Sequence, residues 1–150
     1  SANVDLFTKI EFSRRGMSGQ AIVETPSESV LRRYKINPVL VPHYDINSAV
    51  MQKIKALSGR TVVQARDIFD LYLLSPRYLT GKTKKHMLME KGVFRKAYEN
   101  IFEVSFEVFR DAVIVYLSVD DQPVYDNPSA WEEIRLRTAA FINQLEKEYE

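Results

Sequence analysis

Cysteine is absent from the 150 residues. That excludes disulfides, thiolate nucleophiles and sulfur ligands, and it fits a reducing compartment, so a cytoplasmic location is expected. Histidine is nearly absent: His43 and His86 lie far apart and without neighbours at ligand spacing, which argues against zinc. The five glycines form no phosphate-cradling loop, and no serine lies in a nucleophile elbow. No apolar run approaches the roughly 20 residues of a membrane span, and the N-terminus does not resemble a signal peptide. One-signed charge is lacking too. Lys and Arg total 21 against 20 Asp and Glu, a net charge of +1, so no overall field draws the chain to nucleic acid or membrane.

What is present is a globular composition with charge unevenly placed. Hydrophobic residues make up 45%, enough for a real core in one ordinary domain, or in one domain with a fragment of another. Residues 77–96 are strongly basic (Arg77, Lys82, Lys84, Lys85, Lys91, Arg95, Lys96), whereas the chain after Val119 is rich in Asp and Glu. The basic stretch reads as a solvated loop or as an RNA phosphate contact.

The pattern predicts a small sheet followed by helices. Residues 7–14 alternate around Ile10 and Phe12 as a half-buried strand does, and residues 21–24 are a short strand candidate. Thr25, Pro26 and Glu28 have the form of a capped helix start, and residues 39–41 follow as a further strand. From Asp45 onward the period becomes helical. Asp45 is placed to cap a helix through Val50, Ile54 and Leu57 that Gly59 ends. A second helix is expected over residues 62–74, stopped by Pro76, a third over 90–101 and a fourth capped by Ser105 with Phe106, Phe109, Val113 and Tyr116 as its stripe. A last helix opens at Asn127-Pro128 and carries Trp131, Ile134, Phe141, Ile142 and Leu145. The expected fold class is α+β, mostly α: a small, incomplete sheet and a short helix in residues 1–44, then a helical bundle in residues 45–150.

Three side chains stand out from core packing. At about 100° per residue, Lys53 falls at the edge of the Ile46–Val50–Ile54–Leu57 stripe, while Lys55 points nearly opposite and reads as an ordinary solvated lysine. Asp67 and Asp70, three apart, share a face of a largely apolar helix. Carboxylates there need a partner, with Arg66 as the i,i+4 candidate for Asp70 and Lys53 reaching across from the preceding helix. Two readings stay open: an ion-pair lock between two helices, and a polar constellation facing a phosphate-bearing ligand. Glu11 reads by spacing as an exposed strand residue.

The run from Val50 to Leu74, through Lys53, Ala56, Leu57, Arg60, Arg66, Asp67, Asp70 and Leu71, resembles the AbiEii/AbiGii-type toxin nucleotidyltransferases, with their Lys-bearing helix and Arg-Asp-x-x-Asp-Leu helix. The later helices are also similar, so that the likeness covers most of the chain from about Val39 onward and, loosely, the strand at residues 9–12. It implies a polymerase β-like nucleotidyltransferase fold and transfer of a nucleotide from an NTP with Mg²⁺. It implies that Lys53 binds NTP phosphates and that Asp67 is a catalytic acid. Asp70 and Arg66 would position them, Arg60 would join Lys53 and Arg66 in substrate binding, and Glu11 would match a metal-site carboxylate. It also implies an antitoxin partner and, for some members, a tRNA or other RNA acceptor. The family's Gly-Ser turn followed by Asp-x-Asp has no counterpart here: Ser118-Val119-Asp120-Asp121 has no glycine. The expectation is therefore a C-terminal portion that does not catalyse alone. The rival expectation is a non-catalytic helical interaction module.

Overall fold

A computed structural model describes residues 19–80 and 90–149. The strand expected over residues 7–14, with Glu11, and Lys82, Lys84, Lys85 and His86 of the basic stretch lie outside the described residues.

The fold is α+β and mostly α. Strands β1 (Ala21–Glu24) and β2 (Val41–Tyr44) form an antiparallel pair in the register Ala21↔Tyr44 to Glu24↔Val41. Pairing starts at Val41 rather than Val39 because β1 offers four residues and Val39 and Leu40 meet no partner. Helix α1 (Glu28–Tyr34) joins the strands and buries none of its residues. Its start differs from the expected capping box. Ser27 occupies the cap position without a side-chain cap, its hydroxyl meeting that of Ser29 at 3.0 Å, and Glu28 pairs with Arg32 one turn on.

The hairpin is fastened to the helical body at one close approach. Ser48 Oγ accepts from the Gln20 amide at 2.8 Å, and a Cβ on Gly19 (φ +134°) would stand 2.8 Å from Ser48. Only glycine fits that backbone and that gap.

Helix α2 (Ile46–Gly59) begins where Asp45 Oδ1 accepts from the Ser48 amide at 2.7 Å, and it buries Val50, Met51, Ile54 and Leu57 completely. It packs on α3 (Ala65–Leu74) and on α4 (Val93–Ile101), and α7 (Pro128–Tyr149) covers both. Helix α3 starts three residues later than expected. The β-branched run Thr61-Val62-Val63 stays outside the helix, with Gln64 extended before Ala65. A 3-10 turn, Ser75–Arg77, carries Pro76 beyond it. The backbone of Leu79 then meets Asn47 twice: Asn47 Nδ2 donates to its carbonyl at 2.9 Å and Asn47 Oδ1 accepts from its amide at 3.1 Å.

Helix α5 (Phe106–Ala112) is capped by Ser105 as expected but is shorter than its apolar stripe suggested. A second β-branched run, Val113-Ile114-Val115, turns into a 3-10 segment that buries Ile114 and leaves Tyr116 exposed. A one-turn helix, α6 (Gln122–Tyr125), went unforeseen; it is built on the Ser118–Asp121 turn, where Ser118 Oγ donates to Asp121 Oδ2 at 2.5 Å. That surface turn has no strand context. The core is centred on Phe109 stacked on Trp131, with centroids 4.2 Å apart and planes 11° apart, and Phe69 is tilted against Phe109 at 5.6 Å. Trp131 Nε1 donates to the Val104 carbonyl at 3.0 Å, and Asn100 Nδ2 donates to the Leu57 carbonyl at 2.7 Å in the last turn of α2.

Asn100→Leu should destabilise the fold by about 1–3 kcal/mol, because it leaves the buried Leu57 carbonyl without its donor. Asp45→Ala should cost about 1 kcal/mol. Urea unfolding of the two variants should rank them in that order.

Candidate functional site

The α2–α3 contact brings one lysine, one arginine and two aspartates together. Lys53 leaves α2 at the margin of its buried stripe, and Asp67 and Asp70 project from one face of α3. Lys53 Nζ lies 3.0 Å from Asp67 Oδ1 and 2.5 Å from Asp70 Oδ2. Arg60, in the connector just beyond α2, places Nε 3.0 Å from Asp67 Oδ2. Asp67 is the buried member at 1% side-chain exposure, whereas Lys53 is 31% exposed and Asp70 and Arg60 are each 41% exposed.

Asp67 therefore has a cation on each oxygen, but the two contacts differ. Lys53 donates a hydrogen bond to Oδ1. Oδ2 has the charge of Arg60 beside it without an aligned N–H, so it is a buried oxygen with an ion partner and no hydrogen bond. Its place in the first turn of α3 adds the field of the helix N-terminus. Burial opposes the charged form of Lys53, yet the hydrogen bonds and charges of Asp70 and Asp67 outweigh it and hold its pKa above the usual 10.5.

Of the residues singled out by sequence, Lys53, Asp67, Asp70 and Arg60 meet. Arg66 does not join them: it is exposed on α3, and the partner of Asp70 is Lys53. The Arg60–Asp67 contact was not foreseen as a pair, because Arg60 lies in an irregular connector that helical periodicity cannot orient. Lys55 is half-buried rather than freely solvated. It lies between two depressions, one of about 550 Å³ lined by Gln52, Lys55, Ala56, Gly59 and Arg60, the other of about 280 Å³ lined by Lys55, Ser58, Gly59, Glu90 and Val93. Of the basic stretch, Arg77, Lys91, Arg95 and Lys96 are exposed, and Arg95 pairs with Glu99 one turn on.

The cluster does not fit Mg²⁺. That ion requires free carboxylate oxygens in an octahedron. Both oxygens of Asp67 and one of Asp70 face cations, and among the described residues no three acidic or histidine side chains converge.

The family described as nucleotidyl transferase AbiEii toxin, type IV TA system, matches residues 2–149. The chain belongs to this family. The AbiEii match spans the sheet and helices alike, reaching further toward the N-terminus than the motif run alone. Comparison with curated proteins and with solved structures gave no match. Among the described residues of this AbiEii member, no helix is long and apolar enough to cross a membrane.

Lys53→Met removes the hydrogen-bonding partner of buried Asp67 and should cost about 3 kcal/mol in chemical denaturation. A raised lysine pKa means that the folded state holds the proton more tightly. The contribution of Lys53 is thus complete below pH 10.5 and is lost as pH rises through the higher folded-state value. The stability gap between the native chain and Lys53→Met should accordingly narrow above pH 10.5. A gap independent of pH would contradict the ion-pair account.

Proposed function

We propose that this chain is the phosphate-binding part of an AbiEii-type toxin that transfers NMP from an NTP to an acceptor. The observation that carries the proposal is the posture of Arg60. Its Nε lies 3.0 Å from Asp67 Oδ2, its side chain is 41% exposed, and it lines the 550 Å³ depression. A guanidinium held beside a buried acid and partly exposed at a depression is suited to phosphate oxygens.

In the proposed reaction an acceptor hydroxyl gives up its proton to water and attacks the α-phosphorus. The bond from that phosphorus to the bridging oxygen breaks, and pyrophosphate leaves with its electron pair. Arg60 and Lys53 would offset the charge on the phosphates, and exposed Arg66 would add a third cation. Asp67 would act through Lys53 and Arg60 as a positioning residue, and Asp70 would hold Lys53 from the solvent side. Mg²⁺, which supplies Lewis acidity in such transfers, would take its ligands from outside this cluster. The family implies an antitoxin as the biological partner, and an RNA end fits the acceptor role.

A second reading has its own support. Lys53 and Arg60 cancel Asp67 and Asp70 in charge, which suits a lock between α2 and α3 in a non-catalytic interaction module. Titration with ATP and GTP separates the two. On the nucleotide reading, Arg60→Ala keeps its fold and weakens binding about tenfold, the loss of one charge-assisted hydrogen bond. Unchanged affinity, or no binding by the native chain, would leave the lock.

A further inference from the structure

Three glycines lie among the described residues, and two have a conformational reason to be glycine. Gly19 and Gly92 have φ of +134° and +81°. Gly59 has neither a positive φ nor a crowded position: a Cβ built there meets no atom within 4 Å. It was expected to end α2, and it is the last residue of that helix, with Arg60 following in an extended conformation. A helical glycine with open space above it weakens the fold relative to alanine and gains nothing in packing.

That open space is a trough. Gly59 and Lys55 belong to both depressions, so the two form one surface running across the end of α2 from Arg60 to Glu90 and Val93. Lys55 has no carboxylate partner among the described residues, although Glu90 lines the same depression. The lining thus has cations at Arg60 and Lys55, a bare backbone at Gly59, a carboxylate at Glu90 and an apolar side chain at Val93.

We propose that this trough is a ribonucleotide subsite in which the ligand lies directly on the Gly59 backbone. Lys55 and Arg60 take phosphate oxygens, the Glu90 carboxylate accepts a hydrogen bond from a ribose hydroxyl, and Val93 packs against the sugar or base. A carboxylate beside bound phosphates disfavours a bare anion, but it suits a ligand that has hydroxyl donors next to its phosphates. The 2′-hydroxyl is the group that separates RNA from DNA. The same chemistry belongs to a free NTP and to the end of an RNA. The proposal rests on the nucleotide reading above and adds Lys55, Gly59, Glu90 and Val93 to it.

The test is equilibrium binding of the full chain to ATP, to GTP, to a short oligoribonucleotide and to the deoxy oligonucleotide of the same sequence. Each is measured for the native chain and for Gly59→Ala, Gly59→Leu, Lys55→Ala and Glu90→Ala. Gly59→Ala should melt at the same or a higher temperature and yet bind at least fivefold more weakly, with Gly59→Leu weaker still. A loss of affinity without a loss of stability is an outcome that a structural role for this glycine does not produce. Lys55→Ala should lose about tenfold, and Glu90→Ala should reduce the preference for ribose over deoxyribose. If the losses are confined to ATP and GTP, the subsite takes the donor nucleotide; if confined to the oligoribonucleotide, it takes the acceptor; either result supports the proposal. Native affinity in the Gly59 and Lys55 variants, with binding lost in Arg60→Ala, would overturn the trough and leave the nucleotide reading standing. No binding of any probe by the native chain would overturn both.

Discussion

A carboxylate removed from water governs the centre of this fold. Asp67 is buried to 1% in the first turn of α3, where an unpaired charge would be costly. Its burial forces the surroundings to supply compensation: Lys53 from α2 on one oxygen, Arg60 from the connector on the other. These contacts fix how α2 and α3 lie against each other, and α4 and α7 then cover the apolar faces of that pair. Lys53 also serves Asp70, so one ammonium group satisfies two carboxylates three residues apart.

The same constraint gives the proposed chemistry its form. A cation held at one end by a buried acid is set in direction before a ligand arrives, which lowers the ordering cost of binding phosphate. Structural lock and phosphate clamp are thus not opposed in their geometry, since rigidity is what both require. They differ in what Arg60 meets besides Asp67, and Arg60 is among the residues that line the trough. Membership of the AbiEii nucleotidyl transferase toxin family agrees with that arrangement.

Much of this was legible in the sequence, and the rest failed for identifiable reasons. Asp45, Ser105 and the apolar spacing of α2 and α7 announced themselves, because caps and 3.6-residue periods are local signals. The meeting of Lys53 with Asp67 and Asp70 could be anticipated because polar groups on buried helical faces must find partners. Arg60 escaped pairing because it lies in a connector without a period, and Asp70 was assigned to Arg66 by helical spacing when a lysine on the neighbouring helix was nearer. The β-branched residues Val62 and Val63 and the run Val113–Val115 were read as helical by hydrophobicity, but their backbones left the helix. Glu90 and Val93 were read as the start and the apolar face of the third helix, not as site residues, since the fold alone brings them to Lys55 and Gly59.

Asn47 holds the amide and carbonyl of Leu79 as an adjacent β-strand would, although it projects from a helix. Together with the contacts of Lys53 it closes the chain between residues 47 and 79 into a ring that contains α2, α3 and the turn after them. A ring of this kind has no free end from which to fray. Parting either helix from the other breaks these contacts, which favours the opening of the segment that holds Asp67 and Arg60 as one unit within the larger fold.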